Sequence, residues 1–172
     1  INFSRDLINS PANKLNPLSY YTKIKNNQIF KKFNFVEYSE RDIGKQFPLT
    51  YAVGKSSSVK PKVIEITNKK ILQKDKPLVI IGKGVTFDTG GVNIKPGNSM
   101  RNMKKDMGGS AIAISLFLLA NYSLKKTKIV LIAPLAENSV SSKSMRPGDV
   151  YKSASGKSVE IAHTDAEGRL LL

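Results

Sequence analysis

The stretch LVIIGKGVTFDTGG, residues 78–91, joins an apolar β-branched run to a glycine-rich turn that carries a lysine and an aspartate. A second such run, Ile129 to Ile132, follows the segment Ala111 to Asn121, which is apolar nearly all round. Continuous β-branched runs are typical of strands buried on both faces, and the segment between them predicts a buried helix. Strand–helix–strand alternation predicts an α/β fold with a mixed, mostly parallel sheet flanked by helices.

Shorter elements are predicted around this unit. Further strands are expected at Phe33–Val36, Leu49–Val53, Val63–Ile66 and Val159–Ala162, and further helices at Tyr20–Ile29 and Ser39–Lys45. Two long connections rich in Gly, Pro and Ser, residues 81–105 and 137–156, leave the ends of predicted strands. In open α/β sheets, binding sites gather at the carboxyl ends of strands, so we expect these loops to carry the function.

Composition narrows the class of protein. The 172 residues are enough for one domain with a core, and the net charge is +15. The basic residues are mostly lysines in scattered pairs, which is typical of exposed faces; a nucleic-acid surface would need arginines and aromatic residues clustered together. The absence of cysteine excludes disulfides and thiolate metal sites. The segment Ala111 to Ala120 is too short to span a bilayer and no signal peptide is evident, so we expect a cytoplasmic protein without a membrane partner.

Four carboxylates stand out in this basic chain. Asp88, Asp106, Asp165 and Glu167 all lie in glycine-rich settings, although the chain has only 13 acidic residues. On an extended segment Asp165 and Glu167 would point the same way. Carboxylates that face one another repel unless a cation lies between them, so the set suits two divalent ions that share ligands. Oxygen ligands favour Mg²⁺ or Mn²⁺, Zn²⁺ also accepts carboxylates, and a neutral lysine amine can complete such a site.

Four motifs resemble those of the leucyl (cytosol) aminopeptidases. They are GKGVTFDTGG at 82–91, MKKDMGG at 103–109, RPGDV at 146–150 and TDAEGRL at 164–170. The segment NFSRDLINSPAN at 2–13 resembles the beginning of the family's catalytic domain. The resemblance implies that residues 1–172 are the N-terminal part of that domain, and that the family's separate N-terminal domain and the end of the catalytic domain are absent. The missing starting Met and the apolar Leu170–Leu172 also suggest a chain cut at both ends.

The resemblance also implies a role for each site residue. The tighter metal would be bound by Lys83, Asp88, Asp106 and Glu167, and the more exchangeable metal by Asp88, Asp165 and Glu167. Lys95 would be catalytic and would polarise the scissile carbonyl. Arg169 would hold a bicarbonate ion that acts as the general base. Contacts to substrate would come from Lys95, Met103, Asp106 and His163. The metals would be Mn²⁺ or Zn²⁺, with Mg²⁺ or Co²⁺ as further options.

Several of these residues have structural alternatives. Lys83 and Lys95 could be solvated surface charges, Asp106 could cap the helix that follows it, and Met103 could belong to the core. One departure from the family pattern concerns His163, the only histidine of the chain, which stands where the family usually has Asn. The larger ring could narrow the substrate pocket, contact the substrate or provide a further ligand.

The expected function is a metal-dependent aminopeptidase that releases N-terminal amino acids, Leu preferred, from peptides with a free N-terminus. The resemblance implies a homo-hexamer for the full-length protein. The alternative function is a non-catalytic member of the same fold that uses the +15 charge to bind DNA or another polyanion. A further hypothesis is that the 172-residue chain is too incomplete to fold stably or to act alone.

Overall fold

The structure is a computed structural model, and it describes residues 2–172. The helices are α1 (Asn2–Asn9), α2 (Pro17–Lys25), α3 (Glu40–Gln46), α4 (Pro48–Gly54), α5 (Gly108–Ser123) and α6 (Gly168–Leu171). The strands are β1 (Asn34–Val36), β2 (Lys62–Thr67), β3 (Leu78–Ile81), β4 (Gly84–Asp88), β5 (Ile129–Asn138), β6 (Val150–Lys152) and β7 (Ser158–Glu160). Short 3₁₀ turns lie at Gln28–Phe30, Met103–Met107 and Thr164–Ala166. No helix among residues 2–172 is both long and apolar enough to cross a membrane.

Strand β5 is the centre of the main sheet. On one side it pairs antiparallel with β2, which in turn pairs antiparallel with β1. On the other side it pairs parallel with both β3 and β4. The predicted α/β class with a mixed sheet is therefore confirmed, although parallel pairings make up only half of this sheet. The parallel pairs arise where α5 carries the chain back from β4 to β5, because parallel neighbours need a long crossover connection.

Strands β3 and β4 lie end to end along β5 and are separated by Gly82 and Lys83. The Gly82 N–H still donates to the Ile132 carbonyl at 3.0 Å, whereas the Lys83 carbonyl accepts the Ser110 N–H of α5 at 2.8 Å. The start of α5 thus replaces β5 as the hydrogen-bonding partner of Lys83. This exchange places Lys83 between the sheet and the beginning of the central helix.

Helix α5 covers one face of the sheet, but it is not buried all round as predicted. Ile114 and Phe117 are fully buried in the core, whereas Ile112 and Leu119 on the opposite face are 54% and 61% exposed. Strand β3 also differs from its prediction, since Val79 is 45% exposed. The reason is topological: among the described residues β3 is an outer strand, paired only with β5.

Two local predictions also need correction. Residues 49–53 were expected as a strand, but they lie in helix α4, which begins at Pro48. Proline fixes φ at a value that suits the first helical turn, and this outweighs the strand-like composition of the segment. Helix α2 begins at Pro17, and Asn16 and Ser19 form a capping box there. It ends earlier than predicted, at Lys25, because Asn27 caps the 3₁₀ turn that follows.

Candidate metal centre

Asp88 is the last residue of β4, where the chain leaves the sheet. Gly90 and Gly91 follow with φ values of +88° and +65°, which favour glycine because a side chain would clash with the backbone. This turn directs the Gly90 N–H to Asp88 Oδ1 at 2.9 Å. A Cβ on Gly91 would also lie 2.8 Å from Thr164 Oγ1. The two glycines therefore allow the loop after β4 to pack directly against the turn that contains Asp165.

Thr164 and Asn93 join these two segments. The Thr164 N–H donates to Asn93 Oδ1 at 2.8 Å, and the Asn93 N–H donates to Thr164 Oγ1 at 2.9 Å. Thr164 Oγ1 is also 2.5 Å from the Gly90 carbonyl, to which it donates. Because Thr164 is fully buried, this reciprocal pairing sets the position of the 3₁₀ turn that contains Asp165 and leads into Glu167.

Lys83 lies between two carboxylates. Its Nζ is 2.8 Å from Asp106 Oδ2, 2.9 Å from Asp106 Oδ1 and 2.8 Å from Glu167 Oε1. Burial lowers the pKa of Lys83, but hydrogen bonds to Asp106 and Glu167 outweigh it and raise the pKa above its ordinary value. Burial also raises the pKa of Asp106 and of Glu167, against the opposing effect of Lys83.

Lys95 forms a second ion-pair group. Its Nζ is 2.8 Å from Asp88 Oδ2 and 2.5 Å from Asp165 Oδ1. Burial opposes the charge of Lys95, but the hydrogen bonds to Asp165 and Asp88 raise its pKa. Burial likewise favours the neutral form of Asp88, yet the donors Lys95, Gly90 and Asn138 together lower its pKa. Lys83 and Lys95 are thus both held in carboxylate clusters, which excludes the surface-charge alternative for them.

Three carboxylates from different segments converge between the two lysines. Asp88, Asp106 and Glu167 each offer an oxygen, and these atoms lie within 4.8 Å of one another. Glu167 is only 1% exposed, and its Oε2 is buried without a hydrogen-bond partner. A buried carboxylate oxygen without a donor is costly, and a bound cation would satisfy it. The donor set and the unpartnered oxygen therefore fit a divalent metal ion.

Gly168 allows this convergence. A Cβ at this position would lie 2.9 Å from Lys83 Nζ and 2.8 Å from its Cε. Any other residue would force the lysine side chain away from Glu167. The glycine of the TDAEGRL motif therefore allows Lys83 to approach the backbone at residue 168 closely. Its neighbour Glu167 can meet Lys83 for this reason.

The structure brings together the five residues predicted as metal ligands, in two groups bridged by Asp88. Asp165 and Glu167 do not lie on an extended segment as predicted. The 3₁₀ turn directs Asp165 to Lys95 and Glu167 to Lys83. Asp106 is not the cap of α5 either, because the residue at that position is Met107 and its side chain makes no capping bond.

The remaining predicted residues lie around this centre. Arg169 is exposed and, with His163, lines a groove of about 230 Å³. His163 is also exposed, and its Nδ1 accepts the Asp165 N–H at 3.2 Å, so it caps the 3₁₀ turn. Met103 is half-buried at the start of the 3₁₀ turn that contains Asp106, and it is not part of the buried core.

Sequence reasoning missed Asn138. This residue is 2% exposed and its side-chain amide donates to Asp88 Oδ1 at 2.8 Å. The signal available in the sequence was its place at the end of a long apolar strand, the position where polar residues reach a site in α/β folds.

Comparison with known proteins identifies the family. The family model described as "Cytosol aminopeptidase family, catalytic domain" matches residues 2–172. The chain belongs to the cytosol aminopeptidase family. Among its relatives, the probable cytosol aminopeptidase of Corynebacterium glutamicum is 41% identical over 170 residues, which are 98% of this chain and 34% of that protein. The chain thus spans about a third of the length of this relative.

Several solved structures share this fold. The cytosol aminopeptidase of Coxiella burnetii superposes with a TM-score of 0.88 at 38% identity, over 99% of this chain and 37% of that one. The bottromycin maturation enzyme BotP in complex with Mn gives a TM-score of 0.86 at 33% identity, over 98% and 37% of the two chains. The leucyl aminopeptidase of Trypanosoma brucei in complex with bestatin gives 0.87 at 30% identity, over 98% and 32%.

Proposed function

We propose that the protein containing this chain is a metal-dependent aminopeptidase that uses two divalent cations. The observation that carries the proposal is the convergence of Asp88, Asp106 and Glu167 within 4.8 Å, with the buried Glu167 Oε2 lacking any hydrogen-bond partner. Membership of the cytosol aminopeptidase family and the Mn complex of BotP support the same assignment. The polyanion-binding alternative receives no support from these relatives.

The ion pairs suggest how the ligands divide between the two cations. Lys83, Asp106 and Glu167 are joined by contacts of 2.8–2.9 Å and, with Asp88, would hold the tighter ion. Asp165 lies on the other side of Asp88, next to Lys95. It would hold the exchangeable ion together with Asp88 and Glu167. Lys83 would act as a neutral ligand, because a dication next to an amine favours loss of its proton.

Bound divalent cations supply Lewis-acid polarisation of the scissile carbonyl and lower the pKa of water. The protein's own residues supply the rest. The Lys95 ammonium is held at the edge of the carboxylate cluster, where it would donate to the oxygen that gains negative charge during hydrolysis. The exposed Arg169 offers a planar set of donors that suits a small oxyanion such as bicarbonate, which would take up the proton from water.

The substrate side of the proposal follows the family. A peptide with a free N-terminus would place its amine at the cations, which makes the enzyme an exopeptidase. In the sequence the half-buried Met103 shortly precedes Asp106 and the exposed His163 shortly precedes Asp165, and both would contact the first residues of the peptide. An apolar wall at Met103 favours Leu. We also propose that the full-length protein is a cytoplasmic homo-hexamer.

A direct test uses the full-length protein after dialysis against chelator. Addition of Mn²⁺ or Zn²⁺ is expected to restore release of Leu from leucine amide, with no release from an N-acetylated substrate. A parallel calorimetric titration is expected to show two cations per subunit. Failure of the wild-type protein to bind any divalent cation, or cleavage that persists in excess chelator, would contradict the proposed function.

A further inference from the structure

We infer that Asn138 is a positioning residue that leaves Asp88 a single carboxylate oxygen, Oδ2, with which to bind cations. This inference rests on the proposed metal site and adds the feature that orients its shared ligand. The side chain of Asn138 bonds to Asp88 and Thr164 rather than to Lys83 or Lys95, and Asn138 is not among the predicted ligands. Its effect is exerted through Asp88 and through the backbone of Thr164.

The strand register explains how Asn138 reaches Asp88. The two residues are Cα partners in the parallel pairing of β4 and β5, at the point where both strands end. Asn138 Nδ2 lies 2.8 Å from Asp88 Oδ1 and 3.1 Å from the Thr164 carbonyl, and donates to both. Both partners are acceptors, so the orientation of the amide is determined: the nitrogen faces them and the oxygen does not.

These donors occupy one oxygen of Asp88. Oδ1 accepts the Gly90 N–H at 2.9 Å as well as the Asn138 amide at 2.8 Å. The other oxygen, Oδ2, faces Lys95 Nζ at 2.8 Å. An oxygen that already accepts two hydrogen bonds in a buried setting is a poor ligand for a further cation. Asp88 would therefore bind through Oδ2 alone, and any bridge that it makes between two ions would be a single-oxygen bridge.

The second bond of Asn138 links the other ligand segment to the sheet. Thr164 is fully buried and immediately precedes Asp165, and its carbonyl has the Asn138 amide as donor. One side chain at the end of the ten-residue strand β5 thus holds both Asp88 and the turn that contains Asp165 and Glu167. The distance from the Asp88 carboxylate to the carboxylates of Asp165 and Glu167 would therefore depend on the Asn138 amide.

A purely structural role for Asn138 makes a different prediction. If the amide of Asn138 only formed buried hydrogen bonds that stabilise the fold, its removal would lower the free energy of unfolding and leave the metal affinity unchanged. Asn68 provides the control, because its side chain also holds backbone groups near the opposite end of β5, although it accepts as well as donates and is less buried than Asn138. Its Oδ1 accepts the Ile129 N–H at 2.8 Å, and its Nδ2 donates to the Thr127 carbonyl at 3.0 Å.

The experiment compares Asn138→Ala and Asn68→Ala in the full-length protein. Calorimetric titration with Mn²⁺ is expected to show a loss of affinity of about 10- to 100-fold for Asn138→Ala, as is usual when a partner of a metal ligand is removed. Asn68→Ala is expected to keep the wild-type affinity. With Co²⁺ as the probe, the visible absorption bands of Asn138→Ala should shift, because Asp88 Oδ1 then keeps only the Gly90 N–H as donor and can also bind the cation.

Wild-type affinity and an unchanged Co²⁺ spectrum in Asn138→Ala would overturn the inference. If Asn138→Ala does not fold, a crystal structure of the unsubstituted protein with Mn²⁺ bound decides instead. Asp88 Oδ1 as a metal ligand in that structure would overturn the inference, whereas coordination by Oδ2 alone, with Asn138 still on Oδ1, would support it. If the wild-type protein binds no cation at all, the proposed function fails, and that outcome is distinct from all of these.

Discussion

Replacement of Lys95 by Met is expected to tighten the binding of the exchangeable cation while abolishing peptide hydrolysis. Lys95 Nζ lies 2.8 Å from Asp88 Oδ2 and 2.5 Å from Asp165 Oδ1, so it contacts the same oxygens that the cation would use. A positively charged side chain on those oxygens competes with the metal. Met has a similar length and no charge, so Lys95→Met removes the competitor with little change in volume.

The magnitude follows from the two contacts. A hydrogen bond to a charged group contributes about 1.5–3 kcal/mol. The Lys95 side chain is 12% exposed and that of Asp165 is 29% exposed, so solvent weakens the second contact. If the two contacts together are equivalent to one full hydrogen bond to a charged group, the binding free energy of the cation would improve by about 1.5–3 kcal/mol in Lys95→Met. Since about 1.4 kcal/mol is a factor of ten, its dissociation constant should fall roughly 10- to 150-fold.

The assay is calorimetric titration of chelator-dialysed full-length protein with Mn²⁺, followed by a leucine amide hydrolysis assay. The control is Lys25→Met, which removes an exposed ion pair with Glu37 of 2.7 Å and should alter neither measurement. An unchanged or weaker affinity for the second cation in Lys95→Met would refute the competition argument. Retained hydrolysis would instead refute the catalytic role of Lys95.

Further expectations concern the same centre. Glu167→Gln should weaken the first Mn²⁺ by more than 10-fold in calorimetry, because it replaces a buried anionic ligand by a neutral one. Because burial raises the pKa of Asp106 and Glu167, protons should compete with Mn²⁺ at a higher pH than they do at ordinary carboxylates; affinity that stays constant from pH 7 down to pH 5 would contradict this. His163→Asn should leave Mn²⁺ affinity unchanged, since Asn also caps, and should alter the KM for peptides; a changed Mn²⁺ affinity would count against the assignment. Gly168→Ala should reduce Mn²⁺ affinity, because its Cβ would meet Lys83 Nζ at 2.9 Å; calorimetry at wild-type affinity would contradict that role.

The residues of the candidate site could be predicted because they lie in long sequence motifs, and these motifs can be recognised, in order, without a structure. Lys83, Asp88, Asp106, Asp165 and Glu167 were all identified in this way, and the structure brings them together. The pairing of each lysine with particular carboxylates could not be predicted. It depends on the turn at residues 164–166 and on the bend at Gly82 and Lys83, and both are set by tertiary contacts.

The fold was predictable where periodicity and length agree, as for β2, β5 and α5. Predictions failed where local chemistry or topology outweighed the pattern. Pro48 makes the segment predicted as a strand the beginning of helix α4. The outer position of β3 leaves partly exposed a β-branched run of the kind typical of buried strands. The role of Asn138 could not be predicted, because a single asparagine at a strand end forms no motif. Its partner Asp88 lies on the neighbouring strand, and the strand register that pairs them is seen only in the structure.

The outer position of β3 has a practical consequence for handling the protein. Leu78, Val79 and Ile81 are 42%, 45% and 48% exposed, and β5 is the strand that pairs with them among residues 2–172. An edge strand with apolar residues and free backbone groups is a template for pairing with another chain. The 172-residue chain produced in isolation should therefore aggregate at high concentration through this edge, and a lysine in place of Val79 should raise its solubility limit without disturbing the carboxylate cluster.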